Sequence, residues 1–367
     1  MVPQERVYSV KLAPRESAAD GLKRLLLLMG DNTRFFKARN RILLKPNFVA
    51  PFSGVTTDLA IIDGLVKKIR EAGAIPFIAE SSGFEFDTES TFKILGIDAY
   101  ARKNDIELIN LDHEDFQRIS WGKSGKYWEV SRRIFTCDGI INLPVLKRHS
   151  VTVLSGAVKN LMGFLSRNSR RFLHCRNLEE GLVFLSKSLP SMLHIVDART
   201  VFSRAVFGTS GNLGYLFGGM NPFALDRAGA SAMGLNPACI PHLQPAVPFE
   251  IKGESLPALS LSKNASKRTK NFFPFFYRAA YCLDLLKVKI IGGNSIIPNL
   301  HWTFGLHPVL KTKNECELRR VASLCPVGAV SMEKKKIIKK KCQCVRCLRC
   351  CQEAEDIVGL RGFHPPG

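Results

Sequence analysis

The stretch RILLKPNFVAPFSGVTTDLAIIDGLVKKIREAGAIPFIAE, residues 41–80, places a helical pattern between two short apolar runs. The runs RILLK and IPFIAE have the length and composition of buried strands. Between them, apolar residues recur at helical spacing, at Leu59, Ile62, Leu65 and Ile69. Gly73 follows as a helix-ending signal. Strand, helix and strand in this order predict two parallel strands with a helix packed on one face of their sheet.

The same alternation continues over the first 250 residues. Further candidate strands are VYSVKL, IELINL, GIINLP, LHIVDA and YLFGGM. From residue 254 to 312 the pattern gives way to Pro, Ser, Lys and aromatic residues, which indicates a connector that packs on its neighbours. We therefore predict an α/β domain over residues 1–253 with a largely parallel sheet and flanking helices, a connector over 254–312, and a separate module over 313–367.

The charge of the chain suggests partners of opposite sign. Its 367 residues carry a formal net charge of +21, which suits phosphorylated small molecules, nucleic acid, acidic proteins or a membrane surface. The lysines near the C-terminus lack the interleaved aromatic residues of a base-stacking surface, so no nucleic acid partner is indicated. The basic run EKKKIIKKK, residues 333–341, predicts a short hairpin whose lysines are solvated or dock an acidic redox protein.

Nothing in the sequence indicates export or a membrane span. The N-terminus lacks the apolar core of a signal peptide, so a cytoplasmic location is expected. No apolar run reaches the roughly 18 to 20 residues that a membrane span needs. The segment from Asn271 to Ile291 comes nearest, but Pro274 and several charges interrupt it. We expect a helix folded over the core there, with a peripheral membrane contact as the alternative.

Seven of the eleven cysteines lie between Cys316 and Cys351. In a chain that is not exported, such clustering indicates a metal centre rather than disulfides. Bacterial ferredoxins bind clusters with C-x2-C-x2-C-x3-C-P, and in two-cluster proteins the fourth cysteine of each copy ligates the other cluster. Cys344, Cys347 and Cys350 fit the first three places of one copy. Cys325, followed by Pro326, fits the fourth place of the other.

The missing ligands complement those that remain. The vacant places fall on Glu315, Leu318, Val321 and Ala354, which together would have formed the second cluster. One complete set remains, so the spacing predicts a single [4Fe-4S] cluster in a small α+β ferredoxin-like module. Four thiolates could also bind zinc, and this alternative stays open. Cys316, Cys342 and Cys351 lie outside the register and would be thiols near the cluster or free thiols, although Cys342 or Cys351 could replace a ligand.

Polar residues follow the ends of several predicted strands of the larger domain. Lys45 and Asn47 end the strand RILLK, and Asp58 leads into the helix that follows. Ligands of open α/β sheets lie beyond the carboxyl ends of strands, and helix N-termini attract anions. Asp58 could equally be only a helix cap.

A second polar group lies in INLPVLKRHSVTVLSGAVKNLMGFL, residues 140–164. Lys147, His149, Lys159 and Asn160 follow a strand end within twenty residues of mostly small and apolar neighbours. Two lysines and a histidine could hold a carboxylate or phosphate, and the histidine could transfer a proton near neutral pH. A surface histidine without a function explains His149 equally well.

KPN with the downstream TTD, LPVLKRH, GAVKNLMG, IVDA and GGMNPFALDRAGASAMGLNP together resemble the domain-of-unknown-function family 362. The resemblance covers roughly residues 41–356 and implies an α/β domain joined to a ferredoxin-type module. The polar motif residues of the family fall on Lys45, Asn47, Asp58, Lys147, His149, Lys159, Asn160, His174, Asp197 and Asp226. The chain departs from the family pattern in two places. FSRAVFGTSGN follows the IVD strand, and Ala354 stands where many relatives have a cysteine. The second change limits the module to one cluster.

The two carboxylates differ in their setting. Asp197 ends a strand, which makes it the better candidate for acid-base work beside a histidine. Asp226 lies in a helical pattern, where a cap or an ion pair is at least as plausible.

These features lead to a redox hypothesis. Electrons from a low-potential donor protein would pass through the cluster to an anionic ligand in the basic cleft, where Lys147, His149 and Asp197 act in catalysis. Lys45, Asn47, Asp58, Lys159, Asn160 and His174 would bind the ligand. The alternatives are a ferredoxin-like carrier without catalysis, or a redox-sensing binding module with a structural cluster. Activity as an oxidoreductase, the substrate, the potential and the oligomeric state stay open.

Overall fold

The structure is a computed structural model of the chain. It describes residues 4–30, 36–50, 55–81, 83, 87–121, 126–149, 151–175, 178–202, 210–244, 246–256, 307–312, 314–325, 328–333, 336–339, 350, 354 and 356–361. Most of the predicted connector lies outside these ranges, as do the segment from Asn271 to Ile291 and Cys344 and Cys347. Within the described ranges no helix is long and apolar enough to span a bilayer.

Sixteen strands and ten α-helices are described. The strands are β1 (Glu5–Lys11), β2 (Arg41–Lys45), β3 (Ile75–Glu80), β4 (Glu107–Asn110), β5 (Phe116–Trp121), β6 (Lys126–Ser131), β7 (Gly139–Asn142), β8 (Lys147–His149), β9 (Val153–Ser155), β10 (Leu193–Phe202), β11 (Ser210–Gly219), β12 (Phe249–Gly253), β13 (His307–Leu310), β14 (Val330–Glu333), β15 (Lys336–Lys339) and β16 (Val358–Arg361). The helices are α1 (Ala18–Leu28), α2 (Leu59–Glu71), α3 (Thr88–Ile94), α4 (Ile97–Lys103), α5 (Arg133–Thr136), α6 (Ala157–Asn160), α7 (Arg167–Cys175), α8 (Leu178–Ser188), α9 (Pro222–Ala232) and α10 (Glu315–Leu324).

Eight strands form one sheet in the order β12-β1-β11-β10-β7-β2-β3-β4. Neighbouring strands run parallel except where β11 pairs with β1 and β10. This arrangement confirms the predicted α/β fold with a largely parallel sheet. The antiparallel strand arises because β11 follows β10 directly in the chain and pairs back along it.

Apolar residues fill both faces of this sheet. In β2, Ile42 and Leu44 pack in one buried cluster with residues of α1 and α2, whereas Leu43 packs in another with residues of α6 to α9. Successive side chains of a strand point to opposite faces, so a strand buried on both sides is apolar throughout. This explains why RILLK reads as a continuous run.

All seven predicted strands are strands in the structure. Edge strand β12 and the hairpins β5–β6 and β8–β9 were not expected from the sequence. Near the C-terminus, β13 pairs with β16 and β14 pairs with β15, both antiparallel. The predicted basic hairpin is therefore present, but its first strand begins upstream of the lysine run, at Val330. The domain boundaries and the cytoplasmic location stay predictions.

Helix α2 is held to the sheet by its apolar face, and this can be tested at Leu65. Its side chain is fully buried. We expect Leu65→Ala to lower the free energy of unfolding by about 2–5 kcal/mol, because it removes buried methyl groups and leaves a cavity. Urea denaturation followed by circular dichroism measures the change. Leu27→Ala in α1, where the residue is 72% exposed, is the control and should change the stability by less than about 0.5 kcal/mol.

Candidate functional site

The carboxyl ends of the central strands bring several polar residues to one edge of the sheet. In the strand register, Lys45 at the end of β2 lies opposite Asn142 at the end of β7. Asn142 also lies opposite His194 of β10. This is the edge at which open α/β sheets bind ligands.

A chain of side-chain hydrogen bonds connects these strand ends to helix α6. Asn142 donates from Nδ2 to His194 Nδ1 at 2.9 Å and accepts from Asn160 Nδ2 at 2.7 Å. Asn160 in turn accepts from Asn47 Nδ2 at 2.8 Å, and Asn47 accepts from Lys147 Nζ at 3.0 Å. All five side chains are buried. Lys147, Asn47 and Asn160, which were predicted separately, therefore belong to one network.

Lys45 lies beside this network in a buried ion pair with Glu80 at the end of β3. Lys45 Nζ also donates to the carbonyl oxygen of Pro46 at 3.0 Å. Burial lowers the pKa of Lys45 and raises that of Glu80, and their attraction opposes both shifts. A Cβ at Gly163 would lie 2.5 Å from Lys45 Nζ, so this position needs a glycine for close packing on the pair.

Arg170 of helix α7 closes the side of the site near Glu80. Its guanidinium donates to the hydroxyl of Ser81 and pairs with Asp112. Ser81 Oγ donates to the carbonyl oxygen of Gly163 at 2.8 Å. These contacts join α7 to the end of β3.

Two lysines of the site have strongly lowered pKa values. Burial, with a smaller effect of the charge on Lys159, lowers the pKa of Lys147 to about 7. Its described acceptors, Asn47 Oδ1 and the carbonyl oxygen of Val55 at 2.8 Å, are both neutral. Burial alone lowers the pKa of Lys159 to about 8. Within the described ranges, no carboxylate lies within ion-pair distance of either lysine.

Three histidines surround Lys159 closely enough for its charge to affect them. Burial, followed by the charge of Lys159, lowers the pKa of His174 to about 3 and that of His242 to about 4. The pKa of His149 is also well below its ordinary value, again because of burial first and Lys159 second. Both effects favour the neutral ring of His149, and proton transfer by this residue stays a prediction.

The tautomer of His149 follows from its backbone contacts. The N–H groups of Val151 and Thr152 both donate to His149 Nδ1, each at 3.2 Å. The nitrogen that accepts them carries no proton in the neutral ring, so Nε2 carries it. His149 is therefore a neutral hydrogen-bond donor through Nε2.

Lys159, His149 and His174 are each partly exposed, although their pKa values are shifted by dense surrounding protein. We call this group, with Lys147 and His242, the basic crevice. Neutral imidazoles and two cations without a carboxylate partner suit an anion.

Asp226 has a structural position beside the crevice. It is fully buried, and its carboxylate accepts the N–H of Ala157 at 2.6 Å and that of Val158 at 2.9 Å. It therefore caps the first turn of α6 from within α9, a contact between two helices that the sequence pattern did not predict. Burial raises its pKa to about 7, against the two N–H donors that favour the ionised form.

Asp197 and Asp58 lie in a separate cleft. Arg199 Nη2 donates to Asp58 at 2.7 Å and to Asp197 at 2.8 Å, and Asp58 also caps α2 through the N–H of Ala60. The cleft has a volume of about 260 Å³, and Thr56, Thr57 and Phe48 contribute to its lining. The predicted pairing of Asp197 with a histidine is not seen here: Arg199 takes both of its carboxylate oxygens.

Sequence reasoning missed His242, His194 and Arg170. His242 stands in a short 3-10 turn, Pro241–Leu243, with no motif around it. His194 lies in the predicted strand LHIVDA, where the sequence analysis selected Asp197 instead.

Of the predicted cluster ligands, Cys325 and Cys350 are described. Both are partly buried. The N–H of Ala329 donates to Cys325 Sγ at 3.2 Å. In the part of the chain that the structure covers, no three His, Cys, Asp or Glu side chains are grouped to hold a metal ion. Cys344 and Cys347 lie outside that part.

A family model described as "Domain of unknown function (DUF362)" matches residues 42–231, more than half of the chain. The chain belongs to this family. The match confirms the resemblance seen in the motifs, and it ends before the cysteine-rich segment.

The chain is similar to thylakoid-associated protein sll1697 of Synechocystis sp., with 26% identity over 253 residues, which cover 65% of this chain and 78% of that protein. Two solved structures are also similar. One is the lactate racemase apoprotein of Thermoanaerobacterium thermosaccharolyticum, with a TM-score of 0.37, 17% identity, and coverage of 57% of this chain and 54% of that one. The other is a Thermotoga maritima protein, with a TM-score of 0.37, 14% identity and coverage of 53% of each chain. The chain thus spans about half the length of these two structures.

The lowered pKa of Lys159 can be measured without a ligand. Amines react with acetic anhydride only when unprotonated, so a lower pKa shifts the reactivity curve to lower pH. We expect competitive acetylation, read by mass spectrometry, to give a midpoint near pH 8 for Lys159. A free lysine derivative added as internal standard should give about 10.4. A midpoint for Lys159 above pH 10 would contradict the desolvated crevice.

Proposed function

We propose that this DUF362 protein carries one [4Fe-4S] cluster and transfers electrons to an anionic ligand held in the basic crevice. The observation that supports the cluster is that Val321 and Ala354 belong to one buried hydrophobic group. These residues occupy vacant ligand places from the two copies of the cysteine motif, and both are buried in one small hydrophobic cluster with Ile357 and Val358. In a two-cluster protein the fourth place of one copy meets the first three of the other. The presence of Val321 and Ala354 in one hydrophobic group supports such an arrangement.

Helix α10 gives a physical reason for the missing second cluster. The vacant places Glu315, Leu318 and Val321 lie three residues apart on this helix. Leu318 and Val321 are buried, whereas Glu315 is exposed. At two of the three places, a buried apolar side chain therefore stands where a second cluster would need a thiolate.

The described cysteines suit a cluster. Cys325 Sγ accepts the backbone N–H of Ala329, and Gly328 before it adopts a positive φ of 63°. Cys350 contacts the small hydrophobic cluster. Cys325, Cys344, Cys347 and Cys350 would hold the [4Fe-4S] cluster, which would supply single electrons. A low-potential protein would donate them, with the basic hairpin β14–β15 as its docking surface.

Lys147 and Lys159 support the anion site. Each cation is desolvated without a carboxylate partner among the described residues, so an anion would recover part of the free energy that this burial costs. With a pKa of about 8, Lys159 could also give up the proton that a reduced ligand takes up at neutral pH. Asn47 and Asn160 would keep Lys147 and α6 in position.

The cluster is tested by anaerobic purification, metal and sulfide analysis, and electron paramagnetic resonance after reduction with dithionite. We expect about four irons and four sulfides per chain and a reducible signal. Cys325→Ala should lose most of the iron, because one of four ligands is removed. Cys239→Ala is the control at an exposed cysteine outside the motif.

Tightly bound zinc in place of iron would refute the redox proposal. So would an iron content that Cys325→Ala leaves unchanged.

The variant Lys147→Met tests whether the protein binds an anion, as an enzyme would, or acts as a simple electron carrier. We expect the variant to keep its cluster signal and to bind acetate, phosphate or sulfate at least about tenfold more weakly than the wild type by calorimetry, since a buried cation is removed. Lys252→Met changes a lysine with 47% of its side chain exposed and should leave binding unchanged. If Lys147→Met bound all three anions like the wild type, the crevice would not be the anion site and the carrier alternative would hold.

A further inference from the structure

The chain leaves the neighbouring strands β2 and β7 in opposite directions. From β2 it continues to β3 and β4 on one side of the strand order, and from β7 it continues to β10 and β11 on the other. Helix α2, after β2, packs in the buried cluster on one face of the sheet, and helix α6, after β7, packs in the cluster on the other face. In open α/β sheets, ligands bind beyond the carboxyl ends of two such strands. The fold therefore indicates a ligand position between the segments that follow β2 and β7.

The cleft of about 260 Å³ described above lies at this position. Phe48 and residues 56–59 line it from the connection after β2, and Val145 lines it from the segment after β7. Leu95 and Ile97 complete its apolar wall. A cavity of about 150 Å³ is enough to bind benzene, so this cleft can hold one six-membered ring with a substituent.

The polar wall of the cleft comes from an irregular part of β10. Asp197 and Arg199 are two residues apart and so point to the same side of a strand, whereas Thr200 would point to the other side. Thr200 nevertheless lines the same cleft. The pairing of β10 with β11 shifts its register between Ala198 and Thr200. Such irregularities re-aim side chains and are over-represented next to active sites.

Two carboxylates hold Arg199 in place but leave one of its amino groups unused. Nε and Nη2 donate to Asp197, and Nη2 also donates to Asp58. Within the described ranges, Nη1 has no hydrogen-bond partner. The side chain is 25% exposed and lines the cleft, so Nη1 is available to an oxygen atom of a ligand.

The charges that line the cleft favour an oxygen atom without charge. Asp58 and Asp197 together outweigh the single charge of Arg199, so a ligand carboxylate or phosphate would meet net negative charge. A ligand ammonium group would meet the guanidinium, with which both carboxylates already pair. A carbonyl oxygen accepts hydrogen bonds and adds no charge.

We infer that this cleft is a second ligand site, which takes a small uncharged molecule with one apolar ring and a carbonyl oxygen. The carbonyl oxygen accepts from Nη1 of Arg199, and the ring packs between Leu59 and Leu95, which are both partly exposed. The site goes beyond the function proposed above, because it depends on neither the cluster nor the anion of the basic crevice.

Benzamide, benzoate and benzylammonium test the ligand class because they share one ring and differ in charge. Ligand-observed NMR titrations of the full chain measure their affinities. We expect benzamide to bind at least about tenfold more tightly than benzoate or benzylammonium, because like charges that face each other disfavour binding.

Two variants test the position of the site. Leu59→Trp fills part of the cleft from the first residue of α2 and should bind benzamide at least about tenfold more weakly. Leu27→Trp adds the same ring at a position that is 72% exposed in α1, and it should bind like the wild type. Arg199→Lys keeps the positive charge but has no Nη1, so it should bind benzamide about fivefold or more weakly.

Three outcomes would overturn the inference. They are benzoate or benzylammonium binding as tightly as benzamide, benzamide binding that Leu59→Trp leaves unchanged, and a wild-type chain that binds no benzamide. If the thermal midpoint shows that Arg199→Lys does not fold, Leu59→Trp decides, because it leaves both ion pairs of Arg199 intact.

Iron and sulfide are measured in the same samples. Absence of benzamide binding by a chain with a full, reducible cluster refutes the cleft ligand alone. Benzamide binding by a chain without iron refutes the redox proposal and leaves the cleft ligand standing.

Discussion

A continuous chain of buried hydrogen bonds fastens the carboxyl ends of β2 and β7, and the start of β10, to helix α6. Its members are Lys147, Asn47, Asn160, Asn142 and His194. Removing one member would leave its neighbours unpaired inside the protein, which is costly for buried polar groups. The chain thus restricts where α6 can lie, and Lys159, the residue before Asn160, is positioned with it. Asp226 supports the same turn from the other side through two backbone N–H groups.

The two lysines of the crevice differ from other charged groups of the domain because no described carboxylate pairs with them. Lys45 is paired with Glu80, Arg170 with Asp112, and Arg199 with two carboxylates. Lys147 and Lys159 are desolvated without such a described partner, and their pKa values fall to about 7 and 8. A protein rarely keeps cations in this state for stability alone, since unpaired buried charge lowers stability. Perturbed pKa values of this kind mark functional sites more often than chance, and here they coincide with the ligand edge of the sheet.

Strands could be predicted from the sequence wherever their apolar pattern matches their burial in the fold. RILLK and IPFIAE are strands because residues buried on both faces leave a continuous apolar run. Strands β5 and β6 were missed because their hairpin lies outside the main sheet and mixes charged with aromatic residues. In the site, Lys147 and Asn160 stood out as polar residues in an apolar motif. His242 did not, because its position depends on how α8 and α9 pack, and no local pattern records that contact.

The proposed function joins the C-terminal module and the crevice. In this hypothesis, a cluster in the module delivers single electrons, and the crevice holds the anion that receives them. Mössbauer spectroscopy of the ⁵⁷Fe-labelled, anaerobically purified chain tests its central claim most directly, because it identifies both the type of iron centre and its ligands. We expect one [4Fe-4S] cluster per chain, with every iron bound by thiolate. A spectrum without cluster iron, or a chain that instead holds zinc at the four cysteines, would contradict it.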